Sequence, residues 1–206
     1  MPKKAINTYN LFKAKFKLLN LDEPWASLIG VPEQTGTWFV YGSPKNGKTS
    51  FCMALCKYMT KFSRVIYNSV EEGMSLTMQD AVRRAQMQTV GNRFLLGDKW
   101  TVDELTEELR KKNSPNFVVI DSVQFADLKF SEYRSLKETF PHKIFCYVSH
   151  VNGKEPDGNI AKRIYRDANA VFRVEGFRAF PVTRYGGGGY YDVVKEKAEA
   201  YWGINA

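Results

Sequence analysis

The chain reads as an α/β protein with a mostly parallel central sheet flanked by helices and an antiparallel hairpin near its C-terminus. Three observations carry this reading. Apolar runs such as Phe117-Val118-Val119-Ile120 show no polar alternation, as strands covered on both faces do. Segments with helical spacing lie between those runs, and a glycine-bounded turn joins the first strand to the first long helix. The 206 residues suit one domain, and 44% hydrophobic with 25% charged residues supplies one core, which excludes a disordered chain.

The elements follow in order. Residues 1–22 form a basic N-terminal segment in which Phe12, Phe16 and Leu19 recur at helical spacing among Lys13, Lys15 and Lys17. Such a segment suits docking on a neighbouring subunit, on DNA or on its own core. Thr37 to Tyr41 is a buried strand that stops at Gly42. Phe51, Ala54, Leu55, Tyr58, Met59 and Phe62 then lie on one helical face. Val65-Ile66-Tyr67 is the second strand, a helix spans about Leu76 to Met87, and Phe94-Leu95-Leu96 is another short strand. Thr101 with Glu104 makes a capping box for a helix carrying Val102, Leu105 and Leu109. Phe117–Ile120 and Lys143–Ser149 are strands with a helix around Ser131 to Phe140 between them. Ala179–Thr183 and Tyr190–Val194 flank Gly186 to Gly189 and read as the hairpin.

No apolar run approaches the ~18 residues of a membrane span. The opening Met1-Pro2-Lys3-Lys4 lacks an apolar leader, so a cytoplasmic location is expected. Cys52, Cys56 and Cys146 form neither a disulfide framework nor a zinc-ribbon pattern. The net charge of +8 suits a polyanionic partner and equally a solvated basic surface.

Gly42-Ser43-Pro44-Lys45-Asn46-Gly47-Lys48-Thr49 fits G-x-x-x-x-G-K-[ST] at every fixed position, with Ser50 following, and has a strand before it and a helix after it. Backbone N–H groups of such a loop turn inward on phosphate oxygens. Lys48 reaches the outer phosphates, and Thr49 offers a hydroxyl to Mg²⁺. Asp121, where the strand Phe117–Ile120 meets an acid, suits the same metal through water. Glu71 and Glu72 follow the second strand, where one could orient a water and the other cap a helix. His150 ends a strand and suits either a γ-phosphate sensor or a structural hydrogen bond.

These residues resemble the RecA-core ATPases, and most closely the ATPase core of the bacterial RadA (Sms) recombination proteins. DnaB-type helicase and KaiC cores are more distant forms of the plan. Leu21-Asp22-Glu23-Pro24 and Leu28-Ile29-Gly30 resemble the lead-in to the family's phosphate loop. Tyr67-Asn68-Ser69-Val70-Glu71-Glu72 is similar to its strand and double Glu, and Val119-Ile120-Asp121-Ser122-Val123-Gln124 to its Walker B phrase. Ser149-His150-Val151 with Lys154 resembles a His-Val-Thr-Lys-Glu segment, Asp167 to Gly176 the strand after it, and Thr183-Arg184-Tyr185-Gly186 a Lys-Asn-Arg-Phe-Gly motif.

The resemblance spans about Leu21 to Gly203 and implies a RecA-like P-loop ATPase domain over residues 23–206. It implies ATP and Mg²⁺ as ligands, Glu71 as the catalytic glutamate and His150 as the start of a mobile DNA-contacting loop. It also implies Arg184 as a finger acting on the next subunit of a homo-oligomer. Val182 departs from the family's Lys, and RadA's zinc module and C-terminal domain are missing, as in a minimal stand-alone core.

Single-stranded DNA is the partner this resemblance implies. Lys154, Lys162, Arg163 and Arg166 are the candidate contacts, in or after a polar, glycine-punctuated loop over Gly153–Ala161. Tyr185, Tyr190 and Tyr191 could stack on bases, though hairpin aromatics more often pack on the sheet. Alternatives are a DnaB-like helicase motor, for which the N-terminal segment is short, and a KaiC-like regulatory ATPase with protein partners. A small-molecule kinase would need an acceptor pocket and an arginine-bearing lid, and a non-hydrolysing binder would have no use for Glu71 and Asp121.

Overall fold

The computed structural model describes residues 5–203. The order is α1 (Thr8–Lys13), α2 (Trp25–Ile29), β1 (Gly36–Tyr41), α3 (Lys48–Met59), β2 (Val65–Ser69), α4 (Leu76–Arg84), a 3₁₀ segment (Met87–Arg93), β3 (Phe94–Asp98), α5 (Val102–Arg110) and β4 (Phe117–Asp121). Then come α6 (Phe130–Thr139), β5 (Ile144–Ser149), β6 (Val151–Asn152), β7 (Glu155–Pro156), α7 (Asn159–Asp167), β8 (Ala170–Glu175), β9 (Arg178–Thr183), β10 (Tyr191–Asp192) and α8 (Lys195–Trp202).

An eight-stranded sheet runs in the order β10-β9-β8-β1-β5-β4-β2-β3. Strands β3, β2, β4, β5, β1 and β8 are parallel, and β9 and β10 add antiparallel. The parallel strands are buried because both faces are covered. The two-residue strand period splits β1 between two cores: Trp38 and Val40 face α2, α3 and α4, while Phe39 and Tyr41 face α5, α6 and α7. Cys52, Cys56 and Cys146 are buried free thiols. The capping box of α5 forms as expected, with Thr101 and Glu104 bonding each other's N–H. Among the described residues, no helix is long and apolar enough to cross a membrane.

Three segments differ from expectation. α1 stops at Lys13, where Ala14 turns extended, so Phe12 and Phe16 share no helix face and both are exposed; Leu19 alone of that set joins the core. Residues 1–4 lie outside the described residues. Ala179 and Tyr191 do pair across the glycines, but only through two residues of β10, and the long partner of β9 is β8. Gly153–Ala161 is not a loop throughout: Asn152 and Glu155 close a β6–β7 hairpin with Gly153 at φ 66, and α7 starts at Asn159. Asn-Gly favours such a turn because both tolerate positive φ.

Gly186–Gly189 also has a packing role. Gly187 lies so close to α2 that a Cβ would sit 2.3 Å from the Leu28 carbonyl oxygen, and Gly188 N–H donates to the Ser27 carbonyl at 3.0 Å. Thr183 Oγ1 donates to the Ile29 carbonyl at 2.9 Å. The β9 end and the lead-in helix are thereby tied backbone to backbone.

Lys143 is 2% exposed and has no acid within ion-pair distance among the described residues. Its ammonium donates to Pro115 O (2.7 Å), Ser114 Oγ (2.9 Å) and Asn116 Oδ1 (3.3 Å). Burial pulls its pKa from 10.5 down to about 8. The folded state thus releases this proton before the unfolded state does, and stability rises with pH between about 8 and 10.5. Below pH 8 both states hold the proton and the penalty is constant. Chemical denaturation at pH 7.5 and pH 10 should show wild type gaining stability relative to Lys143→Met over that interval.

Candidate nucleotide site

Strand register delivers the site to one sheet edge. Tyr41 of β1 lies opposite Ser149 of β5, and Ser69, Asp121 and Val148 of β2, β4 and β5 form the adjoining row. The phosphate loop, the Val70-Glu71 turn, Asp121 and His150 therefore share the C-terminal edge, where open α/β sheets hold ligands.

The loop Gly42-Ser43-Pro44-Lys45-Asn46-Gly47 runs into α3, whose first turn holds Lys48, Thr49 and Ser50. Gly47 caps α3 at φ 98, a conformation that side chains resist. Gly42 lies against β8, where a Cβ would come within 2.0 Å of the Val174 carbonyl oxygen. Asn46 braces the loop from the β8–β9 turn: its Oδ1 accepts from Gly176 N–H at 2.7 Å and its carbonyl from Phe177 N–H at 3.1 Å. Lys48 Nζ folds back to donate to the carbonyls of Gly42 (2.8 Å) and Ser43 (3.0 Å). Burial lowers the pKa of Lys48, opposed first by the charge of Asp121.

Asp121 accepts a hydrogen bond from the buried Tyr67 hydroxyl. Burial pushes its carboxyl up to about 6, against the opposing hydrogen bond from Tyr67. Its carbonyl accepts from the N–H groups of Val70 (2.7 Å) and Glu71 (3.1 Å), so the same residue seats the glutamate turn. The two glutamates part there. Glu72 Oε2 accepts from Thr77 Oγ1 at 2.8 Å beside α4, whereas Glu71 Oε2 lies 2.9 Å from His150 Nε2.

A phosphate-bearing ligand with Mg²⁺ suits these residues. The glycines keep the loop clear of side chains, and Thr49 with Asp121 is a hydroxyl-plus-carboxylate set for a hard cation that takes its remaining ligands from water and phosphate. No cluster of three or more His, Cys, Asp or Glu that could hold a metal occurs among the described residues.

Gln124, quoted above only within the Walker B phrase, ties this edge together. Its Nε2 donates to Ser149 Oγ and the Asp157 carbonyl, each at 2.8 Å, and its Oε1 accepts from His150 N–H at 3.3 Å. One side chain thus joins the segment after Asp121 to both ends of the β6–β7 hairpin. Its position three residues after a strand-end acid was the only signal in the sequence. A cavity of about 590 Å³ beside α3, lined by Trp25, Met53 and Tyr191 and reaching Ser50, also escaped sequence reading.

Arg184 lies elsewhere. Its N–H donates to the Asn169 carbonyl, and Asn169 bonds Thr37 at the start of β1. The phosphate loop leaves the other end of that strand, about 15 Å away at 3.3 Å per residue. Arg184 is exposed, and so is Val182.

The basic residues also separate. Lys154 is exposed at the β6–β7 turn, Lys162 pairs with Glu155 at 2.6 Å, and Arg163 stacks 4.0 Å over the Phe130 ring beside Arg166. Tyr191 packs on Trp25 and Phe51, Tyr185 packs against the core, and Tyr190 lies under Arg178 at 3.8 Å.

No family model and no curated protein matches the chain. Solved structures do. Flagellar accessory protein FlaH from Methanocaldococcus jannaschii superposes with a TM-score of 0.61 at 14% identity over 86% of this chain and 92% of that one. A DnaB-like ATPase domain gives 0.56 at 14% identity, covering 80% and 84%. KaiC-like protein PH0186 from Pyrococcus horikoshii OT3 gives 0.55 at 14% identity, covering 86% and 94%. This likeness shows a RecA-like P-loop fold and does not single out the RadA core.

Because folding raises the pKa of Asp121 from 3.8 to about 6, the penalty for its charge sets in as pH rises through that window and is full above it. Asp121→Asn should therefore melt higher than wild type at pH 7 without nucleotide, by roughly 2–4 °C per kcal/mol recovered. The difference should shrink towards pH 4. Differential scanning fluorimetry across pH 4–7 checks this.

Proposed function

We propose that the chain is a Mg²⁺-dependent ATPase that works as a homo-oligomer on single-stranded DNA in recombination, annealing or repair. The observation that carries the hydrolytic reading is the Glu71–His150 contact of 2.9 Å on the edge shared by the phosphate loop and Asp121. A glutamate meant only to cap α4 would face that helix, as Glu72 does.

Bound Mg²⁺ would neutralise charge developing on the phosphate oxygens. Thr49 and Asp121 would hold it, the latter through water. Lys48 would exchange its loop carbonyls for the outer phosphates, and the backbone N–H groups after Gly42 would orient them. Glu71 would align the attacking water, and His150, through its contact with Glu71, would register whether the γ-phosphate is present. Gln124 supplies a route from that event to the hairpin bearing Lys154.

Arg184 stands a strand's length from its own phosphate loop, which favours action on a neighbouring subunit. The exposed hairpin and the surplus of cations favour a nucleic acid over a protein as activating partner. The cavity reaching Ser50 is compatible with ATP, and nothing in it selects adenine over guanine.

Steady-state ATP hydrolysis with and without single-stranded DNA, at low and high salt, tests this reading. DNA should stimulate turnover in a salt-sensitive way. Lys48→Ala should lose nucleotide binding, whereas Glu71→Gln should keep it and lose about 10²-fold or more in kcat. Arg184→Ala should lose ~10³-fold, and mixing it with Glu71→Gln should restore part of the turnover at junctions where intact residues meet. Turnover indifferent to DNA would replace this reading with a protein-regulated ATPase.

Gln124→Leu should keep its ATP KM while DNA stimulation falls, with Gln124→Glu intermediate. Equal loss of DNA-free and DNA-stimulated kcat would show that Gln124 does not couple the two.

A further inference from the structure

We propose that the groove between α6 and α7, on the flank of the domain, is a binding path for the phosphate backbone of single-stranded nucleic acid; this rests on the DNA reading above and says where the strand runs. Each helix turns a pair of cations spaced i, i+3 into the same groove: Arg134 and Lys137 from α6, Arg163 and Arg166 from α7. Residues at that spacing are neighbours on a helix surface. The groove encloses about 410 Å³, with Phe130 and Tyr133 among its walls.

The charge is only half compensated. Arg134 pairs with Glu138 at 3.2 Å, and Lys137 with Asp167, which also accepts from Tyr133. No acid lies within ion-pair distance of Arg163 or Arg166 among the described residues. Arg163 is also held in place. Its guanidinium lies 4.0 Å over the Phe130 ring, which fixes the plane and leaves its N–H edge for a partner. A planar fork held in this way suits a phosphate oxygen pair, and loses less entropy on binding than a free chain would.

Path length and position agree. α7 begins just past the hairpin that carries Lys154, and its nine residues extend about 13 Å. A strand crossing Lys154 can therefore continue along α7 to Arg163 and Arg166 without leaving basic surface. No base-reading set of donors and acceptors lines the groove, so binding is expected to be insensitive to sequence.

Fluorescence anisotropy of an oligo-dT strand, titrated over a range of salt, tests this path. Each phosphate contact adds about 0.7 to the slope of log K against log salt for single strands. Arg163→Gln with Arg166→Gln should flatten that slope by about 1.4, and Arg163→Lys with Arg166→Lys should restore most of it. Circular dichroism melting of both double variants checks that they fold. If wild type binds and the Gln pair leaves the slope unchanged, this path is wrong and the DNA reading stands. If wild type does not bind even at low salt, the DNA reading falls, and this path with it. If the Gln pair instead lowers the sedimentation coefficient of the wild-type oligomer, the groove is a contact between copies, which also overturns the proposal.

Discussion

Ser69, Asp121 and Val148 stand level on β2, β4 and β5, and Tyr41 stands level with Ser149 on β1. Everything at the candidate site depends on this register. A slip of one residue in β4 would turn Asp121 and Tyr67 to opposite faces and move Val118 and Ile120 into the wrong core. Register is strongly specified here because both faces are buried: Trp38 and Val40 belong against α3, Phe39 and Tyr41 against α5–α7. The two hydrophobic cores thus position the acids before any ligand is involved.

Asp121 bears several of the site's demands at once. Its carboxylate is desolvated, its Oδ2 takes the Tyr67 hydroxyl, and its carbonyl seats Val70 and Glu71. Three residues further on, Gln124 fastens the ends of the β6–β7 hairpin. A metal ligand, a water-orienting acid and a basic hairpin would accordingly be parts of one hydrogen-bonded segment, not separate features brought together by chance.

Much of this was legible in the sequence, because the signals were local. The phosphate loop has fixed residue types at fixed spacing, Asp121 follows four apolar residues, and the Thr101–Glu104 box needs only a three-residue interval. What escaped depended on distant partners. The β8–β9 turn uses Gly176 and Phe177 at φ 52 and 58, and phenylalanine is no turn signal, so the glycine run drew the hairpin instead. That run approaches α2, which lies more than 150 residues earlier, as the Thr183–Ile29 bond does. The brace from Asn46 to Gly176 spans 130 positions. Phe12 and Phe16 had helical spacing but no core to meet, and α1 ended before it could use the pattern.

The placement of Arg184 at the start of β1, a strand away from the phosphate loop, bears on symmetry. If this residue serves a neighbour, the contact joins two different surfaces, the loop-bearing edge of one copy and the Arg184 edge of the next. Such a heterologous contact repeats into a closed ring or an open helical array, whereas a two-fold dimer would pair like edges and leave both catalytic edges without a foreign arginine. An open row of n copies then holds n − 1 complete sites, and its end copy always offers an unfilled loop edge where growth can continue. Closing the ring removes that end, so the two forms would differ in activity per subunit only while the assemblies are short.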